Sequence, residues 1–158
     1  MPKRQIGRFF QLWEAVQSST ASRLGILNWP DDQQLDNLKR TASEIMDPIR
    51  ERFGRIRITS GLRVSELNEA IAGSSRTSAH CFGRAFDFRP HDRDVELFEV
   101  VDWVIASEIP YDQIILEYHS WVHIASAATG KEPRRQALTK LSGEGYKNYS
   151  TWRKNNET

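Results

Sequence analysis

Six apolar residues, Leu35, Leu38, Ala42, Ile45, Ile49 and Phe53, recur at steps of three and four. That spacing lays one apolar stripe along a helix, and such a stripe must be covered by a second layer. Asn28-Trp29-Pro30-Asp31 reads as the turn that starts this helix, with Asp31 or Asp32 as its cap; Pro48 is expected to bend it and Gly54 to end it. Only short β-like runs are available to cover the stripe: Ile56 to Thr59, Ala85 to Phe88, Gln113 to Glu117 and Trp121 to Ile124. Helices first and short strands after them predict an α+β domain, with helices packed on a small antiparallel sheet.

The remaining segments fit that plan. Phe9 to Val16 reads as a short covering helix, Ser65 to Ile71 as a helix capped by Ser65, Gly73 to Thr77 as a polar loop, and Val95 to Ile105 as a helix. A length of 158 residues is one domain's worth. With 22 Lys+Arg against 21 Asp+Glu the net charge is +1, which argues against a nucleic-acid binder. No apolar run approaches a membrane span, and the N-terminus lacks the apolar core of a secretory signal, so a protein made in the cytoplasm is expected. One cysteine, Cys81, excludes a disulfide framework and a Cys-rich zinc site. Residues 131–158 hold seven Lys/Arg and three Asp/Glu, a local +4, against −3 for residues 1–130. The reading is a domain over 1–130 and a basic extension over 131–158 that docks a few aromatics or is drawn weakly to an anionic surface.

All four histidines, His80, His91, His119 and His123, fall in one central stretch. Histidine is the commonest metal ligand and the usual proton shuttle near neutral pH. A three-residue turn Tyr118-His119-Ser120 sets Glu117 opposite Trp121, so Ile115, Glu117, Trp121 and His123 share one face, and Val122 and Ile124 point into the core. Glu117 and His123 are then diagonal neighbours, suited to a carboxylate beside a metal ligand. In Ser78-Ala-His-Cys-Phe-Gly-Arg-Ala-Phe-Asp87, a turn at Gly83 separates His80 from Asp87, and Ala85 leaves room beside the carboxylate. Two histidines and an aspartate make a set zinc accepts, and three protein ligands are the catalytic rather than the structural pattern.

The run Ser78-x-His80-x-x-Gly83-x-Ala85-x-Asp87, followed by Glu117 and Trp121-x-His123, resembles the zinc D-alanyl-D-alanine carboxypeptidase family. That family includes phage L-alanyl-D-glutamate endolysins and a D-Ala-D-Ala dipeptidase, and the hedgehog signalling domain shares its fold. Ile58-Thr59-Ser60-Gly61-Leu62-Arg63 and Leu67-Asn68 resemble its phage and bacterial branch. The resemblance covers roughly residues 28–125. It implies a hedgehog-like α+β fold, one Zn2+ per chain held by His80, Asp87 and His123, and Arg63 binding substrate near the scissile carbonyl.

Two candidates stand for the general base. Glu117 lies where hedgehog-type members carry a glutamate. Many endolysins place an acid three residues before the last ligand, where this chain has Ser120, and some carboxypeptidases use an upstream histidine, which keeps His119 as the second candidate. Ser78 holds its loop or touches substrate, Trp121 is cleft wall or core, Asn68 ties a helix to the loop, His91 is a surface residue, and Cys81 is a bystander pointing away from His80 on extended chain. The implied activity is hydrolysis of a peptide bond in peptidoglycan stem peptides, L-Ala-D-Glu or D-Ala-D-Ala, by a monomer with no nucleic-acid or membrane partner. It would act on the wall after release, or be carried in a virion. The competing reading is a non-catalytic, zinc-stabilised structural or wall-binding module of the same fold.

Overall fold

A computed structural model describes residues 4–71, 75 and 77–156. The predicted stripe forms a nearly continuous helical rod: α3 (Asp32–Thr41), a π turn (Ala42–Met46) and α4 (Asp47–Phe53). Asp31 caps it, accepting from the Gln34 amide at 2.7 Å while the Gln34 side chain accepts from the Asp31 amide at 2.9 Å. Pro48 does not break the rod. It brings no N–H, and one turn earlier the ladder widens so that the Asp47 amide donates to Ala42, five residues back. The Asp47 carboxylate in turn accepts from the Arg8 and Phe9 amides, which ties the N-terminal arm to the rod. Gly54 ends it, as expected.

The other helices are α1 (Leu12–Val16), α2 (Ser19–Leu24), α5 (Ser65–Ala70), α6 (Leu97–Ala106) and α7 (Tyr149–Asn155). The cap of α5 is Val64, not Ser65, which is its first helical residue. The expected Gly73–Thr77 loop lies largely outside the described residues. Six strands form one sheet: β1 (Ile56–Ser60), β2 (Ala85–Pro90), β3 (Tyr111–Glu117), β4 (Trp121–Ser126), β5 (Gln136–Lys140) and β6 (Lys147–Asn148), in the order β1-β2-β4-β3-β5-β6. All neighbours are antiparallel except β3 and β5. The domain is therefore α+β, with a larger and less uniformly antiparallel sheet than expected.

Register decides which face does what. Phe86, Ile124, Ile114 and Ala137 stand side by side across β2, β4, β3 and β5, and Phe88, Val122, Leu116 and Thr139 form the next row. This face packs on Leu38, Ile45, Ile49, Val101 and Val104 from the helices, and together they make the core. The other face carries Asp87, His123, Ile115 and Leu138 in one row. The segment after residue 130 adds β5, β6 and α7 to the same structure. Tyr149 of α7 is fully buried, its hydroxyl donating to Asp102 at 2.7 Å.

Candidate metal centre and cleft

The hairpin forms as its pattern predicts: Glu117 pairs with Trp121 across a three-residue turn, and Ile115 with His123. Tyr118 and His119 take left-handed backbone (φ 54° and 53°) to close it. Asp87 on β2 is the direct cross-strand neighbour of His123 on β4. His80 reaches the same spot from a 3-10 turn, Ala79–Phe82, ahead of β2. Gly83 ends that turn in the left-handed region, where an added Cβ would lie 2.6 Å from the Gln34 carbonyl.

Several buried contacts aim His80. Its Nδ1 lies 2.7 Å from the Gly61 carbonyl, which can only accept, so Nδ1 carries the proton and Nε2 presents its lone pair. Gln34 and Asn37 of α3 donate to the Cys81 and Phe82 carbonyls, both at 2.9 Å. The Arg63 amide donates to the His80 carbonyl at 3.1 Å, which locks the Ser60–Arg63 turn onto the His80 turn. Asn28, buried, pins that turn from below: its amide donates to Val16 and Leu62, and its oxygen accepts from Val64. The sequence reading saw Asn28 only as part of a turn.

Three donor atoms converge. His80 Nε2 lies 3.2 Å from Asp87 Oδ1 and 3.2 Å from His123 Nδ1, and Asp87 Oδ1 lies 2.9 Å from His123 Nδ1. Ligands held tetrahedrally at zinc distances stand about 3.3 Å apart, so the spacing fits. So does the protonation: burial lowers the His80 pKa and favours neutral imidazole. Burial alone would raise the Asp87 carboxyl, but His80 and His123 outweigh it and hold the group well below the usual carboxylate range. A neutral imidazole lone pair facing a carboxylate across 3.2 Å calls for a cation between them. Among the described residues, His80, Asp87 and His123 are the group whose geometry could hold a metal ion.

The triad lies in a cleft of about 770 Å³. Arg63, Ser78, Glu117 and Trp121 line it with the triad, so the structure brings these expected site residues together. Ser78 Oγ also accepts from the His80 amide at 3.3 Å, which makes it a cap of the turn as well as cleft wall. Trp121 Nε1 is buried, with no hydrogen-bond partner among the described residues. Burial, and next the charge of Asp87, raise the Glu117 carboxyl above its ordinary 4.5, while His123, Arg63 and Lys140 pull the other way.

His119 is not brought to this cleft. The left-handed turn swings its ring onto Trp152, 5.4 Å between centroids, and into a different cleft with His91, which is exposed. Cys81 lies on the 3-10 turn rather than extended chain, and burial raises its thiol pKa. Asn68 does tie α5 to the loop, donating to the Ser75 carbonyl at 2.8 Å. Sequence reasoning missed Arg84, Asp112, Arg134 and Lys140 as cleft residues. Asp112 and Arg134 form a bidentate pair at its rim, Nε donating to Oδ1 and Nη2 to Oδ2, and only the unforeseen strand β5 brings Lys140 beside Glu117.

Fold and site together describe a small α+β protein with a candidate two-histidine, one-aspartate metal centre on the open face of its sheet. The family model for peptidase M15 matches residues 9–125, and the chain belongs to that zinc D-Ala-D-Ala carboxypeptidase family. No curated protein matches the chain.

Proposed function

We propose that this protein is a zinc peptidase that hydrolyses a peptide bond in peptidoglycan stem peptides, with His80, Asp87 and His123 as ligands and Glu117 as general base. The observation that carries the proposal is the convergence of three donor atoms beside a partly buried glutamate, in one cleft of a peptidase-family chain. When bound, zinc supplies a Lewis acid that acidifies water and polarises a carbonyl. Glu117 takes the proton of the attacking water and delivers it to the leaving amine, and its raised pKa suits both halves of that task. Arg63 donates to the carbonyl oxygen as charge develops there. Ser78 and Trp121, which line the same cleft, hold the peptide backbone.

The cleft supports an endopeptidase that cuts the L-Ala-D-Glu bond. Residues line it on both sides of the triad along the strands: Gln113, Ala125 and Arg134 toward one end, Glu117, Trp121 and Lys140 toward the other. Lining on both sides favours a substrate chain that continues past the centre in either direction. The likeness of residues 58–63 to the phage branch favours a lysin, acting on the wall after release or from a virion. Glu117 in the cleft favours catalysis over a purely wall-binding module. The test is digestion of purified peptidoglycan with the zinc-loaded protein, reading new amino ends by mass spectrometry. D-glutamate amino ends are expected. Free D-alanine alone would overturn the endopeptidase assignment. Cleavage of neither bond, with zinc bound, would leave the wall-binding module.

A further inference from the structure

On the open face of the sheet, the row next to the triad holds Arg57 and Arg89, directly opposite each other on β1 and β2. Both are exposed. Like charges directly opposite across an antiparallel pair oppose each other and cost stability. Among the described residues no carboxylate pairs with either. Two acids line the same cleft, Asp92, which accepts from the Asp94 amide, and Glu96, and among the described residues neither forms an ion pair with these arginines. Arg57, Arg89, His91, Arg93 and His119 instead line a second cleft of about 540 Å³.

Arg89 is two residues from Asp87 on the same strand and face, about 7 Å along it. A peptide lying extended across the triad advances by about two residues over that distance. We infer that the Arg57–Arg89 pair is a specificity site that reads a carboxylate of the substrate peptide about two residues from the scissile bond. The planar guanidinium fork matches a carboxylate bidentately, and a bound anion removes the repulsion between the pair. The inference rests on the peptidase reading of the neighbouring cleft and adds a substrate requirement to it.

The test uses zinc-loaded protein and stem peptides with blocked termini, in which each internal carboxylate is amidated in turn. Wild type is expected to lose on the order of tenfold in kcat/KM when one particular carboxylate is amidated. The Arg57→Gln/Arg89→Gln variant should cleave the free and amidated peptides alike. Its Tm should not fall, because a repulsive pair has been removed. Arg89→Glu should prefer the amidated peptide. Equal dependence on amidation in wild type and the double variant would overturn the specificity site and leave the peptidase reading intact. So would inhibition by millimolar inorganic phosphate that depends on the two arginines when amidation has no effect, since the pair would then read phosphate. If no peptide is cleaved, the peptidase reading fails. Titration of the same peptides onto zinc-loaded Glu117→Gln then decides the pair separately: amidation-sensitive binding lost with both arginines supports it, and its absence overturns it.

Discussion

The ring of His80 is held by the backbone of Gly61, with Nδ1 donating to that carbonyl at 2.7 Å. One hydrogen bond therefore couples the turn that carries Arg63 to the proposed metal ligand and fixes the tautomer. Gly61 can occupy its place only without a side chain, because an added Cβ would lie 2.4 Å from the Ala15 carbonyl oxygen. Gly61→Ala is expected to push this turn off α1, lower the Tm and weaken zinc binding roughly 10–100-fold, the usual range for a lost orienting partner. Zinc titration against a competing chelator checks it.

Glu117→Gln keeps shape and hydrogen bonding but cannot accept a proton. It is expected to retain zinc and lose about 10²–10⁴-fold in rate. Full activity in Glu117→Gln together with loss in His119→Ala would return the role to His119.

In the metal-free protein the Glu117 carboxyl is raised above its ordinary 4.5, chiefly by burial and next by the charge of Asp87. For folding, a carboxyl whose native pKa is raised is destabilising when ionised, and the penalty fades as pH falls through that pKa. Chelated Glu117→Gln should therefore melt above chelated wild type at pH 7, and the gap should narrow in acid. A thermal melt series over pH reads both the sign and the window.

Tyr149 tests whether the C-terminal segment is structural. Its ring is buried in the core and its hydroxyl bonds Asp102, which also pairs with Arg153. Tyr149→Ala should cost about 3–5 kcal/mol, as for other aromatic truncations. Tyr149→Phe should cost about 1 kcal/mol for the lost hydrogen bond. Denaturant unfolding of both variants provides the comparison.

The features legible from sequence were those set by local pattern. The Leu35–Phe53 stripe, the Asp31 cap, the Gly54 stop and the hairpin register at Glu117 and Trp121 depend on neighbours a few residues away. Strand β5 was not legible: only Ala137 and Leu138 are apolar in it, and it exists because β3 offers a parallel edge more than twenty residues earlier. The direction of His119 turned on two left-handed residues that nothing in Tyr118-His119-Ser120 demands, neither being glycine. The π turn Ala42–Met46 just ahead of Pro48 has no sequence signature. The cleft residues Arg84, Asp112 and Arg134 come from separate segments that only the folded sheet brings together.

The centre itself is tested most directly by counting zinc. Metal analysis of purified protein reloaded after chelation, beside His80→Ala, Asp87→Asn and His123→Ala variants shown to be folded by circular dichroism, reads ligand identity without depending on any substrate. One zinc per wild-type chain, and none in the three variants, is the expected result. Stoichiometric zinc in both His80→Ala and His123→Ala would contradict the centre, and with it the chemistry proposed for the cleft.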